Sequence, residues 1–302
     1  MLSIVTNFIF IKARLKTHES NYGSVHFSVS FAVANLLIPT VAAPLNLVAD
    51  FEVFGINSLA CVALNSPALI SLTLPLGFLF AMTVERSISI FYPLRYLAIV
   101  TSSRTRKVTI FIWVYGIVCL LIPMLGANSI ADRQRRQLNF TACNMAYVMT
   151  GTYVCFVIMG NAAPLMAILL GLNLAIGIIV TKRYREETSI KFRLAPLDVL
   201  LKLKKAQRQR KLIIALLLVG QLYITSHLLL LTALTIDYRG FTTATITTWV
   251  APFELYVAGI MASTLNTIIY PIILGYPSYH FRRNMRRILF CRRTRVAPEN
   301  CN

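Results

Sequence analysis

The most chemically suggestive residues of the chain are an acid and a base side by side, Glu85 and Arg86, directly after the apolar run from Leu59 to Val84. A carboxylate beside a guanidinium can form an ion pair that other charged groups can break and remake. The simplest interpretation is an anchor where a hydrophobic helix leaves a membrane. The alternative interpretation is a functional role, which depends on the sequence around the pair.

Other kinds of chemistry find no support in the sequence. The four histidines lack the spacing of metal ligands. The sequence also contains no Gly-rich phosphate loop and no activated-nucleophile motif. It therefore predicts a protein that is not an enzyme and that has no metal or other cofactor.

The composition is that of an integral membrane protein. Of the 302 residues, 57% are hydrophobic and 14% are charged, and the mean hydropathy is +0.67. A soluble domain needs more charge than this on its surface. Seven apolar stretches follow one another, and all but the first reach the about 20 residues that a spanning helix needs. They lie near 1–11, 26–49, 59–84, 108–127, 147–180, 212–236 and 243–274.

The net charge of +19 is explained by membrane topology. All but four of the 30 Lys and Arg residues lie at the ends of alternate spans, which the positive-inside rule assigns to the cytoplasmic face. The exceptions are Arg133, Arg135, Arg136 and Arg239. The distribution predicts a cytoplasmic C-terminus, and it argues against a nucleic-acid partner.

The segment from Met82 to Tyr96 carries a family resemblance. Its pattern, Glu-Arg-x-x-x-Ile-x-x-Pro-Leu-Arg-Tyr, places the arginine 25 residues after Cys61. This closely resembles the third-span signature of the class A (rhodopsin-like) G-protein-coupled receptors. Further matching positions are Trp113, Pro164 and the segment from Asn266 to Tyr270. The resemblance implies an all-α membrane protein: a seven-transmembrane helix bundle with a short amphipathic helix after the last span.

The resemblance covers residues 1–291, which we expect to form the receptor domain, and leaves 292–302 as a short cytoplasmic tail. Met1 to Ile11 would cross only about half of a hydrocarbon core. Asn7 lies 28 residues before Asn35, which resembles the family's spacing between its first-span asparagine and its second-span acid. We therefore expect that the first span is incomplete and that its outer half would precede Met1.

An intramembrane polar network is the next implication of the resemblance, with Asn7, Asn35, Ser263 and Asn266 as its members. The family normally has an aspartate where Asn35 stands, so the sodium pocket of many relatives should be weak or absent. Asn35 itself is either functional or a helix-packing residue. Thr267 replaces the proline of the last-span motif.

Three predicted features concern covalent chemistry. The resemblance implies a disulfide between Cys61 and Cys143 on the oxidising outer side; two unpaired thiols are the alternative. Asn139, in Asn-Phe-Thr, is the glycosylation candidate. Cys291 is a candidate for palmitoylation, with a plain cytosolic thiol as the alternative.

The candidate ligand pocket consists of Ala68, Tyr223, His227 and Glu254. Ala68 stands where amine receptors place an aspartate, so a biogenic amine bound in the usual mode is not expected. No lysine follows Lys211, so the retinal Schiff base of opsins cannot form. His227 is a ligand contact or a packing residue, and Glu254 is a pocket residue or one that extends to the interface.

The resemblance implies a plasma-membrane receptor that relays an extracellular ligand signal to heterotrimeric G proteins, with arrestin as a further partner. Its switch residues would be Glu85, Arg86 and Tyr270. Two alternatives remain: a seven-helix receptor without G-protein coupling, or a membrane transporter. The transporter is disfavoured by the lack of internal repeats and of paired mid-membrane charges.

Overall fold

The computed structural model describes residues 1–15, 22–45, 48, 58–138, 153, 156–190, 197–242, 253–275 and 282–283. These residues contain no β-strand, which confirms the all-α class. The α-helices are α1 (Leu2–Leu15), α2 (Tyr22–Leu37), α3 (Ser58–Phe91), α4 (Tyr96–Ile99), α5 (Ser102–Leu138), α6 (Ala163–Ile190), α7 (Leu197–Thr242) and α8 (Phe253–Gly275).

Within the described residues, five helical segments are long and apolar enough to cross a membrane. They are Val25–Leu45, Leu59–Phe91, Ser102–Leu125, Gly160–Lys182 and Ile213–Thr232. The part of α8 from Met261 to Gly275 is a shorter apolar helix. With α1, these segments correspond to the seven apolar stretches of the sequence. Of the amphipathic helix predicted after the last span, only 282–283 lie within the described residues, and both are helical.

The helices pack as a ring that includes α3. Helix α1 lies between α2 and α8, α2 contacts α3, and α3 contacts both α5 and α6. Helix α6 packs on α7, and α7 packs on α8 in the most extensive pairing of the bundle, which closes the ring. The largest fully buried side chains come from α1, α2, α3 and α6, with Phe31, Phe78 and Leu169 among them.

Prolines shape three helix boundaries. Helix α3 ends at Phe91, as the position of Pro93 predicts, because the residue before a proline disfavours the α conformation. A π-helical turn, Ile38–Ala42, contains Pro39. A second π-helical turn, Phe156–Ala162, ends just before Pro164. The helix continues through Pro164 as α6, because the wider turn just before it accommodates the missing N–H of the proline.

Glycines allow two close helix contacts. A Cβ added to Gly116 on α5 would lie 2.4 Å from Cδ2 of Leu74 on α3. A Cβ on Gly259 of α8 would lie 3.2 Å from both the backbone N and the Cα of Leu230 on α7. Small residues at such points are typical of helix pairs in membranes, where close packing replaces the hydrophobic effect as the driving force.

The outer surface of the bundle is apolar. On α5 the side chains of Ile110, Phe111, Val114 and Val118 are all about half exposed or more. Such a surface is stable in hydrocarbon, where backbone polar groups must be paired within the helix and apolar side chains meet lipid.

Candidate functional site: the Glu85 end and the polar network

Glu85 lies in the last two turns of α3 and is almost completely buried, with 3% of its surface exposed. Its Oε1 accepts a hydrogen bond of 2.6 Å from the hydroxyl of Tyr96, the first residue of α4. Its Oε2 has no hydrogen-bond partner among the described residues. The turn after Pro93 therefore brings Tyr96 back onto the carboxylate that the sequence singled out.

The environment of Tyr96 keeps its hydroxyl protonated. Partial burial raises the pKa of Tyr96 above its ordinary value, and the adjacent charge of Glu85 raises it further. The hydroxyl is therefore a hydrogen-bond donor to Glu85 at neutral pH. The charge-assisted bond to a carboxylate is among the stronger kinds of protein hydrogen bond.

Arg86, the next residue along α3, is only partly buried. The resting Glu85–Arg86 ion pair that the family resemblance implies stays a prediction. The hydrogen bond observed on Glu85 comes from Tyr96 and not from this arginine.

The second predicted group, around Asn7 and Tyr270, is a closed hydrogen-bond network between α1 and α8. Asn7 is fully buried, and Tyr270 has 3% of its surface exposed. The Tyr270 hydroxyl donates to Oδ1 of Asn7 at 2.8 Å. Nδ2 of Asn7 donates to the backbone oxygens of Ser3 at 2.8 Å and of Thr267 at 2.9 Å. Asn7 thus uses both N–H groups of Nδ2 and its acceptor Oδ1 in hydrogen bonds inside the bundle.

The sequence explains why the Thr267 carbonyl needs Asn7. Four residues later stands Pro271, inside α8, and a proline has no N–H to give to that carbonyl. Asn7 supplies the missing donor from the neighbouring helix. The Thr267 hydroxyl donates to Thr264 O at 2.7 Å, so Ser3, at 2.7 Å, must donate its own hydrogen to Thr267 Oγ1.

Asn266 links α8 to α7 instead of joining the Asn7 network. Its Nδ2 donates to the backbone oxygen of Leu222 at 2.9 Å and to Oγ of Ser226 at 2.7 Å. Ser226 in turn donates to the Tyr223 carbonyl at 3.0 Å. The last-span asparagine therefore fastens α8 to the segment of α7 that carries the candidate ligand-pocket residues.

Asn35 makes its described side-chain hydrogen bond within its own helix, from Nδ2 to the Phe31 carbonyl at 2.9 Å. It lines a small cavity of about 10 Å³ together with Asn266, Tyr223 and Tyr270. A space of this size holds about one water molecule. Ser263 is also buried, but its Oγ has no hydrogen-bond partner among the described residues. The predicted four-residue network thus divides into separate contacts around this cavity.

Two of the candidate ligand-pocket residues lie against each other. The rings of Tyr223 and His227 stack with centroids 3.9 Å apart, and Nδ1 of His227 donates to the Tyr223 carbonyl at 3.0 Å. Nε2 of His227 is buried and has no hydrogen-bond partner among the described residues. Ala68 is half-buried on α3. Glu254 is the second residue of α8, and the position of its side chain lies outside the described part of the chain.

Of the residues for which covalent chemistry is predicted, only Cys61 lies within the described part of the chain. It is fully buried near the start of α3. Cys143, Asn139 and Cys291 lie outside the described residues. The disulfide, the glycosylation and the palmitoylation all stay predictions.

Sequence reasoning missed the roles of Tyr96, Ser3 and Thr267. Tyr96 is the last residue of the Met82–Tyr96 segment that resembles the family. Its hydrogen bond to Glu85 depends on the path of the chain after Pro93. Ser3 lies four residues before Asn7, a spacing that places both side chains on one helix face and could have indicated the pair. The signal for Thr267 was Pro271, four residues on.

Comparison with known proteins identifies the family. The family described as "7 transmembrane receptor (rhodopsin family)" matches residues 6–273. Adenosine receptor A2b of Gallus gallus is 24% identical over 303 aligned positions, 96% of this chain and 85% of the relative. The alpha-1A adrenergic receptor of Cavia porcellus is 25% identical over 185 positions, 60% of this chain and 38% of the relative. The thyrotropin-releasing hormone receptor of Mus musculus is 28% identical over 124 positions, 40% of this chain and 31% of the relative.

The family match spans the described helices from α1 to α8, so the seven-helix architecture that the sequence predicts is confirmed. The members of this family are receptors and not enzymes. The chain belongs to the rhodopsin family of seven-transmembrane receptors, the class A G-protein-coupled receptors, and is a multi-pass membrane protein.

Proposed function

We propose that this receptor relays the binding of an extracellular ligand to a heterotrimeric G protein through a two-state switch made by Glu85, Arg86 and Tyr270. In a two-state receptor, the ligand acts only through its different affinity for the resting and active conformations. In the active state Arg86 would meet a helix of the G protein at the Glu85 end of the bundle. Arrestin would use the same end.

One observation carries this proposal: the hydroxyl of Tyr270 on α8 donates a buried hydrogen bond to Asn7 on α1. For Tyr270 to move in behind Arg86, this buried hydrogen bond must break. The Asn7 network therefore belongs to the resting state and opposes activation. Tyr96 has the corresponding role for Glu85, because it satisfies one carboxylate oxygen while Arg86 changes partners.

The comparisons do not agree on a ligand. The relatives are named as adenosine, adrenergic and thyrotropin-releasing hormone receptors. Because Ala68 supplies no carboxylate on α3, we propose a ligand other than a biogenic amine held by that position. We leave the ligand class open beyond this exclusion.

We further propose a plasma-membrane location with the Glu85 end and the C-terminus in the cytoplasm, as the distribution of basic residues indicates. In this orientation Cys61 lies at the outer end of α3, where a disulfide to Cys143 would tether the following loop. Asn139 would then be exposed to the glycosylation machinery. Residues 1–291 would form the receptor domain and 292–302 the tail.

The decisive experiment uses nucleotide exchange on a panel of purified Gα subunits by membranes that contain the receptor, without added ligand. A minor active state of about 0.1–10% gives such receptors a basal rate. We expect Arg86→Ala to reduce exchange to the receptor-free background at unchanged surface expression. The matched control is Arg106→Ala, an exposed arginine on α5.

Measurements in an Asn7→Leu background, which should raise the basal rate, make the comparison more sensitive. Exchange that persists in Arg86→Ala would refute the proposed switch. Arrestin recruitment by a receptor that drives exchange on no Gα subtype would instead favour the seven-helix receptor without G-protein coupling.

A further inference from the structure

A groove with a volume of about 750 Å³ lies between α3, α5 and the start of α6. Its walls are mainly apolar and include Phe80, Val108, Phe111 and Ile168. Three of these side chains are half exposed, with 42% of Val108, 67% of Phe111 and 50% of Ile168 accessible. All four belong to membrane-spanning segments, so the groove opens toward lipid and not toward water.

The two ends of the groove differ in whether their polar groups have hydrogen-bond partners among the described residues. At the far end, the hydroxyl of Tyr115 donates to Oδ1 of Asn161, and Nδ2 of Asn161 donates to the Phe156 carbonyl at 2.9 Å. These polar groups are satisfied within the protein. At the near end, Glu85 and Arg104 line the groove, and both have unused hydrogen-bonding capacity.

The near end combines an acceptor with donors. Glu85 is 97% buried, with 3% of its surface exposed, and its Oε2 has no hydrogen-bond partner among the described residues. Arg104 is exposed, and among the described residues its side chain donates from Nη1 alone, to the carbonyls of Ala98 and Ile99 at 3.1 Å each. A guanidinium has five N–H donors, so the remaining ones can bind a phosphate. Leaving a buried carboxylate oxygen unpaired is costly, and a donor from the groove would relieve this cost.

We propose that the groove binds phosphatidylethanolamine, with an acyl chain along its apolar wall, the phosphate at Arg104 and the primary ammonium at Oε2 of Glu85. The apolar wall runs along α5 from Arg104 to Tyr115, about 16 Å at 1.5 Å per residue, which suits one acyl chain of a phospholipid. The ammonium supplies the N–H donor that the carboxylate lacks. Phosphatidylcholine has the same phosphate and net charge but no N–H, so it cannot satisfy Glu85.

The test measures lipid retention by the purified full-length chain in native mass spectrometry, with phosphatidylethanolamine or phosphatidylcholine of identical acyl chains. We expect the wild type to retain phosphatidylethanolamine about tenfold better, which corresponds to about 1.4 kcal/mol. Both lipids are neutral overall, so general attraction to the basic surface cancels in the ratio.

Three variants separate the parts of the site. Glu85→Gln should bring the ratio close to one while phosphatidylcholine retention is unchanged. Arg104→Gln should weaken both lipids by a similar factor, about fivefold, whereas the control Arg106→Gln should weaken neither. Val108→Trp, which fills the groove, should weaken both lipids. The control Val114→Trp adds the same side chain to a lipid-facing position of α5 outside the groove walls.

Each opposite result overturns the proposal. Equal retention of the two lipids by the wild type would mean that the ammonium has no partner. A preference that survives Glu85→Gln would place that partner elsewhere. Equal effects of Val108→Trp and Val114→Trp would place the lipid outside the groove. Retention of a sterol that is lost in Val108→Trp, without any such loss of phosphatidylethanolamine, would assign the groove to a different occupant.

Discussion

The hydrogen bond between Tyr270 and Asn7 is the contact whose strength most directly tests the polar network. The perturbation is a double-mutant cycle of Tyr270→Phe, Asn7→Leu and the combined variant, with leucine chosen because its shape is close to that of asparagine. Tyr270→Phe leaves one buried polar group without its partner, and Asn7→Leu leaves two. The double variant removes both members of the 2.8 Å bond.

The magnitudes follow from which groups are left unpaired. Tyr270→Phe leaves only Oδ1 of Asn7 unsatisfied, at a site that is fully buried, and we expect a loss of stability of about 1 kcal/mol. Asn7→Leu leaves both the Tyr270 hydroxyl and the Thr267 carbonyl without a hydrogen-bond partner, because Pro271 has no N–H to donate to that carbonyl. We therefore expect about 2–3 kcal/mol for Asn7→Leu.

The coupling energy between the two changes should be about 0.6–1.5 kcal/mol. Double-mutant cycles in a membrane protein average about 0.6 kcal/mol with a maximum near 1.7, because the unfolded chain in lipid also finds partners. The nearly complete burial of both side chains places this pair in the upper part of that range.

The assay is reversible unfolding of the purified receptor in mixed micelles, followed by tryptophan or circular-dichroism signals, with Tyr92→Phe as the control for loss of a hydroxyl at an exposed tyrosine. A coupling energy of zero would refute the view that the two side chains form one unit. Equal losses in the two single variants would refute the role assigned to the Thr267 carbonyl.

Three further predictions concern other contacts. Because burial and Glu85 raise the pKa of Tyr96, the contribution of Tyr96 to folding stability should be constant below about pH 10, the unfolded value, and should fall as the pH rises above it. Tyr96→Phe should lose this part of the slope, and an unchanged slope would contradict the prediction. Gly259→Ala should lower stability by about 1–3 kcal/mol through overpacking against the Leu230 backbone, whereas Gly177→Ala, with no atom within 4 Å of the added Cβ, should not. Asn35→Asp should make Tm higher in sodium chloride than in choline chloride of equal ionic strength, while the wild type should show no difference; sodium-dependent stability of the wild type would overturn the prediction.

The spans and the family were predictable from the sequence because both depend on local patterns. Long apolar runs must be helical in a bilayer, since every backbone polar group needs a partner there. Asn7 was found as a candidate residue from its spacing to Asn35, and Tyr270 from the last-span segment Asn266 to Tyr270, because both resemble the family's pattern. The partners of these residues were not predictable in the same way. The donor to Glu85 depends on how the chain turns after Pro93.

Which polar residues contact one another could also not be predicted from their spacing along the chain. Asn35 lies on α2, and Ser263 and Asn266 lie on α8, and packing sets the rotation of both helices. A rotation of a helix by a few tens of degrees about its axis decides whether an amide side chain hydrogen-bonds to a neighbouring helix or to its own backbone. Asn35 bonds to the Phe31 carbonyl of its own helix. The one strong local signal was Pro271, because a missing N–H fixes which carbonyl will need a donor from elsewhere.

The π-helical turn Phe156–Ala162 has a consequence for the rotational register of the fifth span. An α-helix advances about 100° per residue, so the extra residue in a wide turn rotates everything on one side of it relative to the other by about that angle. Deleting one residue from this turn would restore regular helix. It would also turn Asn161 away from Tyr115 while leaving the inner half of α6 in place. The turn therefore allows the helix before it and the helix after it to present different faces to the bundle. An insertion or deletion in the turn changes which face is presented, although no side chain elsewhere is replaced.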